Sequence, residues 1–411
     1  MRKLFSLIFI FLCCVSAQMS QAGTANSLPP NSLPPIEELH IANQASLLPS
    51  FYEIQAISLN KILKQYQEIA SNGGWGEWQT DKKLQEGESD ARVPALRNIL
   101  TIMGDYPSAS GVKSESLVYD AILVEAVKKF QERHGLNADG KLGKSSQKAL
   151  AVPVNKRITQ ILLTLQKLHT YPTTSEEKFI LVNLPAYRLY GIEEGKEKLT
   201  MRVIIGNVDH KTPTFDNAIN NVVFNPPWNV PSKIARNEMV PKLKKNPNYF
   251  IKSGFVVTQN GVEIDPMDAD FDSGGFSFRQ RAGSSNALGK IKFNMPDSDS
   301  IYLHSTSSPK LFEKEERAMS HGCVRLEKPR ELAHFVIASV EGWQENRIDK
   351  AYDSSKEGHV KINQFPVHLV YWTAFVDSKG NPNFYEDVYK QDNLSEASLN
   401  ETHDEIVVSV N

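Results

Sequence analysis

Phe179-Ile180-Leu181-Val182-Asn183-Leu184 is the stretch on which the fold class turns. An apolar run this short, bounded by polar and turn-forming residues, reads as a buried β-strand. Before it, apolar side chains recur at helical spacing. After it, short strand-like runs at residues 199–205 and 222–224 are separated by Gly, Pro or Asn, and a late one spans residues 366–375 before a turn at residues 377–380. The expectation is a multidomain α+β chain, helical first and β-rich second.

Working back from that stretch, Leu59, Ile62, Leu63, Tyr66 and Ile69 share one helix face, and Asn72-Gly73-Gly74 supplies a stop. Trp75 and Trp78 then read as packing under a loop. Val93, Leu96, Ile99, Leu100 and Met103 mark a second helix ending at Gly104-Asp105. Leu123, Ala126, Val127 and Phe130 mark a third, capped by Asp120 and ended by His134-Gly135. Residues 137–143 read as a turn and 145–150 as a short helix. Pro153 leads into a helix over residues 156–169, stopped by Tyr171-Pro172, that joins the two halves.

Residues 1–22 carry Arg2 and Lys3, an apolar run over residues 4–15 and small residues suited to cleavage, the pattern of an export signal. The run falls short of the roughly 20 residues that span a bilayer, and no later stretch is apolar enough to do so, so no membrane span is expected after cleavage. Residues 23–43 read as a flexible spacer and residues 391–411 as a polar tail. The formal charge is −2, and losing Arg2 and Lys3 makes it −2 − 2 = −4, with no long run of Lys or Arg. Nucleic acid is therefore not an expected partner. Of the three cysteines, Cys13 and Cys14 leave with the signal, so Cys323 would be a lone thiol without a disulfide.

Chemistry concentrates in Ile301-Tyr302-Leu303-His304-Ser305 and Met319-Ser320-His321-Gly322-Cys323-Val324-Arg325-Leu326. A thiol near its ordinary pKa is mostly protonated at neutral pH, so a working nucleophile wants an imidazole or other cationic surroundings. His304 and His321 are both candidates. In an extended segment His321 and Cys323 would face the same way, so spacing does not choose between them. Gly322 permits a sharp bend that would leave the N–H groups of Gly322 and Cys323 to face an oxyanion. Zinc held by His304, His321 and Cys323 is a rival reading, weakened because no second mature cysteine accompanies them. An inert buried cysteine is the bland alternative.

Ala126-Val127-Lys128-Lys129-Phe130-Gln131, His134-Gly135-Leu136, Asp139-Gly140, Leu142-Gly143 and Ala149-Leu150 resemble a peptidoglycan-binding module of three short helices, over residues 92–153. Ser320-His321-Gly322-Cys323-Val324-Arg325-Leu326, preceded by Tyr302-Leu303-His304, is similar to the signature of the L,D-transpeptidases with a YkuD-type catalytic domain. Asn225-Pro226-Pro227-Trp228-Asn229-Val230-Pro231, Asn286-Ala287-Leu288-Gly289 and Lys292-Phe293-Asn294-Met295-Pro296 resemble the large Gram-negative subgroup of that family. The resemblance implies a helical scaffold over residues 44–91, the module, a connecting helix over residues 154–172 and a β-sandwich-like catalytic domain over residues 178–390 with a lid at 249–278.

It also implies roles. Cys323 would be the nucleophile and His304 its base, with the Ser305 carbonyl orienting the imidazole. Tyr302, Gly322 and the Cys323 amide would serve the oxyanion, and Arg325 would shape the site through hydrogen bonds. The role of His321 stays open between a supporting place beside the donor, which is favoured, and direct proton transfer, and Trp228, Asn294 and Met295 would line the substrate groove. The implied partners are peptidoglycan stem peptides, a tetrapeptide donor and a diaminopimelate acceptor, joined as a 3-3 cross-link through a thioester, without metal or organic cofactor, in the periplasm. Water as acceptor would give an L,D-carboxypeptidase, and a protein amine would give tethering to the wall. A wall-binding protein without activity is the remaining alternative, and acylation of Cys323 by a carbapenem would count against it.

Overall fold

The computed structural model describes residues 49–107, 115–169, 171, 177–272, 274–296, 298 and 301–392. The expected export signal and spacer, and all but the first two residues of the expected tail, lie outside the described residues.

Ser50 opens the first helix by a capping box: its hydroxyl accepts the Glu53 N–H at 3.2 Å, while the Glu53 carboxylate accepts the Ser50 N–H at 2.6 Å. Helix α1 therefore runs Phe51–Ser71, starting well before the periodic stretch at Leu59. Its early residues are held by tertiary packing: Phe51 and Tyr52 meet Phe179 with ring centroids 5.9 and 5.6 Å apart. Gln55 clamps both main-chain groups of Val376, donating to its carbonyl at 2.7 Å and accepting its N–H at 3.0 Å.

Helices α2 (Val93–Ile102), α3 (Ala121–Arg133) and α4 (Lys144–Leu150) follow, then α5 (Val154–Leu168). The Asp120 carboxylate accepts the Leu123 N–H at 2.9 Å as the predicted cap of α3, and Trp75 and Trp78 are buried. Behind α3, the Arg133 guanidinium forks onto Asp105, Nε to Oδ1 at 2.8 Å and Nη2 to Oδ2 at 2.5 Å, with both side chains under a tenth exposed.

The β-rich half begins with β1 (Lys178–Asn183), β2 (Arg188–Glu193), β3 (Lys196–Gly206) and β4 (Phe215–Phe224). The next four strands are β5 (Trp228–Asn229), β6 (Phe255–Gln259), β7 (Val262–Ile264) and β8 (Phe276–Gln280). Then come β9 (Ile291–Asn294), β10 (Leu303–His304), β11 (Ala318–Ser320) and β12 (Val324–Leu326), and finally β13 (Gly358–Val370), β14 (Ala374–Val376) and β15 (Pro382–Phe384).

The main sheet runs β11-β3-β12-β10-β9-β4-β13-β1-β2, and β2 pairs with β3 as well. That last pairing closes the ring, so the expected sandwich is instead one sheet wrapped on itself, with β11 added at the end of β3. Closure removes the sheet edges that two stacked sheets would leave. Ile180, Val182, Val203, Val222, Phe293, Leu303, Val324 and Val367 belong to one core, against which the helices Pro329–Ile337 and Glu345–Asp353 pack. β1 is buried along nearly its whole length because its other face, through Phe179, meets α1.

The late run at residues 366–375 is not one strand. Asn183 takes the place of a strand neighbour, accepting the Trp372 N–H and donating to the Trp372 carbonyl, each at 3.0 Å. The ladder stops there, and β14 turns away to pair with β15. The expected lid at 249–278 is also larger than its Gly- and Asp-rich composition suggested. β5, β6, β7 and β8 form a four-stranded sheet of their own, whose core includes Val230, Met239, Leu243, Phe250, Val257 and Phe278, so this cap starts at Trp228.

Removing Asp105 would leave a buried guanidinium without its carboxylate. Asp105→Ala should therefore cost about 3–5 kcal/mol, and Asp105→Leu combined with Arg133→Met should recover much of that loss. Urea denaturation of Asp105→Ala, Asp105→Leu, Arg133→Met, the double variant and the wild type reads the coupling; additive losses would show that the pair does not act as a unit.

Candidate active site

Three short strands build the site by alternation. β10 lies between β9, where Leu303 pairs with Phe293 and His304 with Lys292, and β12, where Leu303 pairs with Val324 and His304 with Arg325. Directly paired residues share a face and neighbours along a strand oppose each other. Phe293, Leu303 and Val324 fill the barrel, so Lys292, His304 and Arg325 form a row on its outer surface. Tyr302 and Cys323 flank that row at the starts of β10 and β12, where the Val324 N–H donates to the Tyr302 carbonyl at 3.1 Å.

His304 is 5% exposed, and its Nδ1 lies 2.5 Å from the Ser305 carbonyl oxygen. A carbonyl only accepts, so the proton sits on Nδ1 and Nε2 keeps its lone pair, the tautomer a general base needs. Ser305 also fixes the loop before β9: its hydroxyl donates to the Leu288 carbonyl at 2.9 Å and accepts the N–H groups of Lys290 and Ile291 at 2.6 and 3.1 Å. Gly289 is required for this contact. Its φ is +61°, and a Cβ there would lie 2.3 Å from the Ser305 hydroxyl oxygen.

Cys323 sits in a bend between β11 and β12. The Ser320 hydroxyl donates to the Cys323 carbonyl at 2.6 Å and accepts the Gly322 N–H at 3.2 Å, and the Thr212 hydroxyl donates to the Gly322 carbonyl at 2.6 Å. Gly322 has φ +111°, a conformation that side chains rarely adopt. Its N–H is thus committed to Ser320, and the expectation that it faces an oxyanion is corrected. The bend also removes the extended geometry in which His321 would point with Cys323. His321 instead places Nε2 2.5 Å from Glu238 Oε1 and lies tilted against His210, ring centroids 5.0 Å apart.

Burial is the main influence on the thiol and raises its pKa; hydrogen bonds from the main chain and hydroxyl of Tyr302, then the charges of Lys292 and Arg325, pull the other way. The Tyr302 hydroxyl in turn accepts from Trp228, which reaches the site from the cap. Lys292 Nζ lies over the Tyr302 ring, 3.9 Å from its centroid. His304 is depressed to about 3, first by burial and next by the charge of Arg325, so its imidazole is neutral in the resting site. Thiol and imidazole, carried at neighbouring strands, are thus both favoured in their uncharged forms.

The remaining expectations divide. Trp228 is at the site through Tyr302, and Asn294 shares the outer face of β9 with Lys292. Met295 is 6% exposed and joins the barrel core, so it does not line a groove. Among the described residues no group of three His, Cys, Asp or Glu is placed to hold a metal ion, and His321 is turned to Glu238. Sequence reading missed Thr212, Tyr389 and the part played by Ser320. The Tyr389 hydroxyl donates to the Gly206 carbonyl at 2.6 Å and accepts the Thr212 N–H at 3.2 Å, bracing the loop that holds Gly322. Nothing local in the sequence announces a contact between segments so far apart.

Residues 177–342 match the family described as "L,D-transpeptidase catalytic domain", and residues 89–150 match the one described as "Putative peptidoglycan binding domain". The chain thus carries an L,D-transpeptidase catalytic domain preceded by a peptidoglycan-binding domain. A protein of Haemophilus influenzae named "Putative L,D-transpeptidase" is 38% identical over 257 residues, 60% of this chain and 52% of its own length. The chain thus spans about half the length of that relative. Among solved structures, an L,D-transpeptidase of Stackebrandtia nassauensis is 15% identical, with 72% of this chain and 97% of that one covered and a TM-score of 0.28. L,D-transpeptidase 3 of Mycobacterium tuberculosis is 12% identical, with 48% and 63% covered and a TM-score of 0.24. At such scores neither bears on the architecture. The catalytic match ends at residue 342, yet β13 fills the barrel wall between β4 and β1, so the physical domain runs further.

Two pH dependences follow. Because burial holds the thiol up, the rate of Cys323 alkylation by iodoacetamide should still be climbing above pH 9.0, the ordinary value. Lys292→Met removes a cation that favours the thiolate and should move the profile to higher pH; a shift downward would contradict the assigned field. His304 is depressed from 6.5 to about 3 in the folded state, so the unfolded chain binds the extra proton between those values. The stability this group contributes is present above about 6.5 and is lost as pH falls toward about 3. The unfolding free energy of the wild type, relative to His304→Asn, should shrink across that window in urea titrations.

Proposed function

We propose that the chain is a peptidoglycan L,D-transpeptidase working through a Cys323 thioester. The observation that carries this reading is the commitment of His304 Nδ1 to the Ser305 carbonyl on a strand paired beside Cys323, which leaves Nε2 as the base. In the first half-reaction the thiol proton passes to His304 Nε2 as sulfur attacks the carbonyl of the third stem residue. The S–C bond forms, the C–N bond to the terminal D-Ala breaks, and His304 returns the proton to the departing amine. Once sulfur is acylated it accepts hydrogen bonds poorly, so the Tyr302 hydroxyl turns from sulfur to the oxyanion. In the second half-reaction the side-chain amine of diaminopimelate on another stem attacks the thioester, gives a proton to His304 and releases the thiol, which recovers it. The product is a 3-3 cross-link.

The module at residues 89–150 fits the same polymer. It is docked on the catalytic domain: Glu315 accepts from the Asn137 N–H at 3.1 Å and the Ser145 hydroxyl at 2.7 Å, and His134 stacks near Phe384 with centroids 6.2 Å apart. We read it as presenting the wall to the catalytic row. The polymer lies outside the cytoplasm, so the export signal read at residues 1–22 and a periplasmic location belong to the same proposal.

Incubation with disaccharide-tetrapeptide should release D-Ala, yield a 3-3-linked dimer and leave an acyl adduct on the wild type by intact mass. Cys323→Ala should give none of these, and His304→Gln should slow the reaction by on the order of 10²–10⁴-fold. The same products from Cys323→Ala would sink the reading.

A further inference from the structure

We infer that Lys292 and Arg325, standing on either side of His304, form a carboxylate subsite that reads the free C-terminus of the departing residue. This deepens the proposed function and rests on it for the identity of that residue.

Both cations are half-buried, and among the described residues neither has a hydrogen bond or ion pair to a side chain or carbonyl, although Arg325 Nε is shut away from solvent. Other shielded arginines of the described residues, although several also leave one nitrogen without a partner, each hold at least one acceptor. Arg133 has Asp105, Arg97 has Asp120, and Arg317 has the Lys314 carbonyl at 2.6 Å. Holding an unsatisfied guanidinium out of water is unfavourable, and a fold that keeps one does so where something else supplies the acceptor. Register puts Lys292 and Arg325 one strand to each side of His304 and on the same face, next to the nucleophile. Among the described residues no carboxylate forms an ion pair with either one.

Chemistry identifies the missing acceptor. In a stem ending at the fourth residue, the terminal carboxylate is three bonds from the scissile carbonyl carbon. It would reach the row while Cys323 attacks, and a guanidinium is suited to hold it bidentately. In a stem with one more residue that position is a neutral amide and the carboxylate lies roughly 3.5 Å further on. The pair therefore favours a donor whose leaving group carries the chain terminus. Occupation also offsets the two charges that hold the imidazole down, so the base strengthens when the correct donor is in place.

The experiment compares disaccharide-tetrapeptide donors ending in a carboxylate or in a carboxamide. The wild type should prefer the carboxylate by roughly tenfold or more in kcat/KM. Arg325→Met and Lys292→Met should bring the ratio toward unity, and Arg325→Lys should keep part of it. Amidating instead the diaminopimelate carboxylate of the acceptor should leave the ratio unchanged; dependence on that group would reassign the subsite and overturn the inference. A second readout needs no turnover: acetyl-D-alanine should protect Cys323 from iodoacetamide better than acetyl-D-alaninamide in the wild type, and equally in Arg325→Met. Equal turnover of the two donors overturns the inference while leaving the transpeptidase reading intact. If neither donor is turned over, that reading fails, and carboxylate-selective protection alone sustains the subsite; equal or absent protection overturns it.

Discussion

The hydrogen-bonded register of β10 between β9 and β12 is the constraint on which the site depends. It is only two residues long, yet it decides that Leu303 enters the barrel and His304 faces out. A one-residue slip would exchange the two and bury the cationic row. Barrel closure through β2 and β3 makes the slip unavailable, because every strand of the ring has both neighbours fixed. Catalytic placement is thus a consequence of a packed apolar interior, where Phe293, Leu303 and Val324 accept no substitutes from the opposite face.

Around that row the site is held by hydroxyls and glycines. Ser305, Ser320 and Thr212 each satisfy backbone groups that tight bends leave without strand partners, and Gly289 and Gly322 permit the close approaches. The cap adds one contact at each side, Trp228 on Tyr302 and Glu238 on His321. The cap carries an apolar core of its own, separate from that of the barrel. The electrostatics are equally one-sided: cations flank the imidazole without anions to balance them, which keeps it neutral at rest.

The helical half illustrates how far periodicity carries. Helices α2 to α5 fall close to their apolar repeats and caps, because Asp120, His134-Gly135 and Pro153 punctuate them locally, although α5 is buried beyond its apolar stripe, from Ile161 through Leu165 without a break. Helix α1 begins eight residues before its repeat, since Phe51 and Tyr52 belong to an aromatic cluster built from distant chain and Ser50 with Glu53 supplies the cap. The late strand was legible as apolar, but its break at Trp372 depends on Asn183, far away in sequence. Composition likewise suggested a loose lid where a small sheet forms, because Gly and Asp mark its turns and say little about Phe250 and Phe278 packing between them.

By itself the sequence determined which residues could do chemistry: the one thiol beyond residues 1–22, two imidazoles, and the run around them that resembles a known signature. It also determined the change from helix to strand near residue 179, since apolar periodicity is a local property. Only the tertiary structure gave His304 the Ser305 carbonyl and His321 the Glu238 carboxylate as partners, turned Met295 inward and Gly322 N–H away, and set Lys292 beside His304. Those outcomes depend on strand register and ring closure, in which residues far apart in the chain fix one another's facing, and no local pattern encodes that.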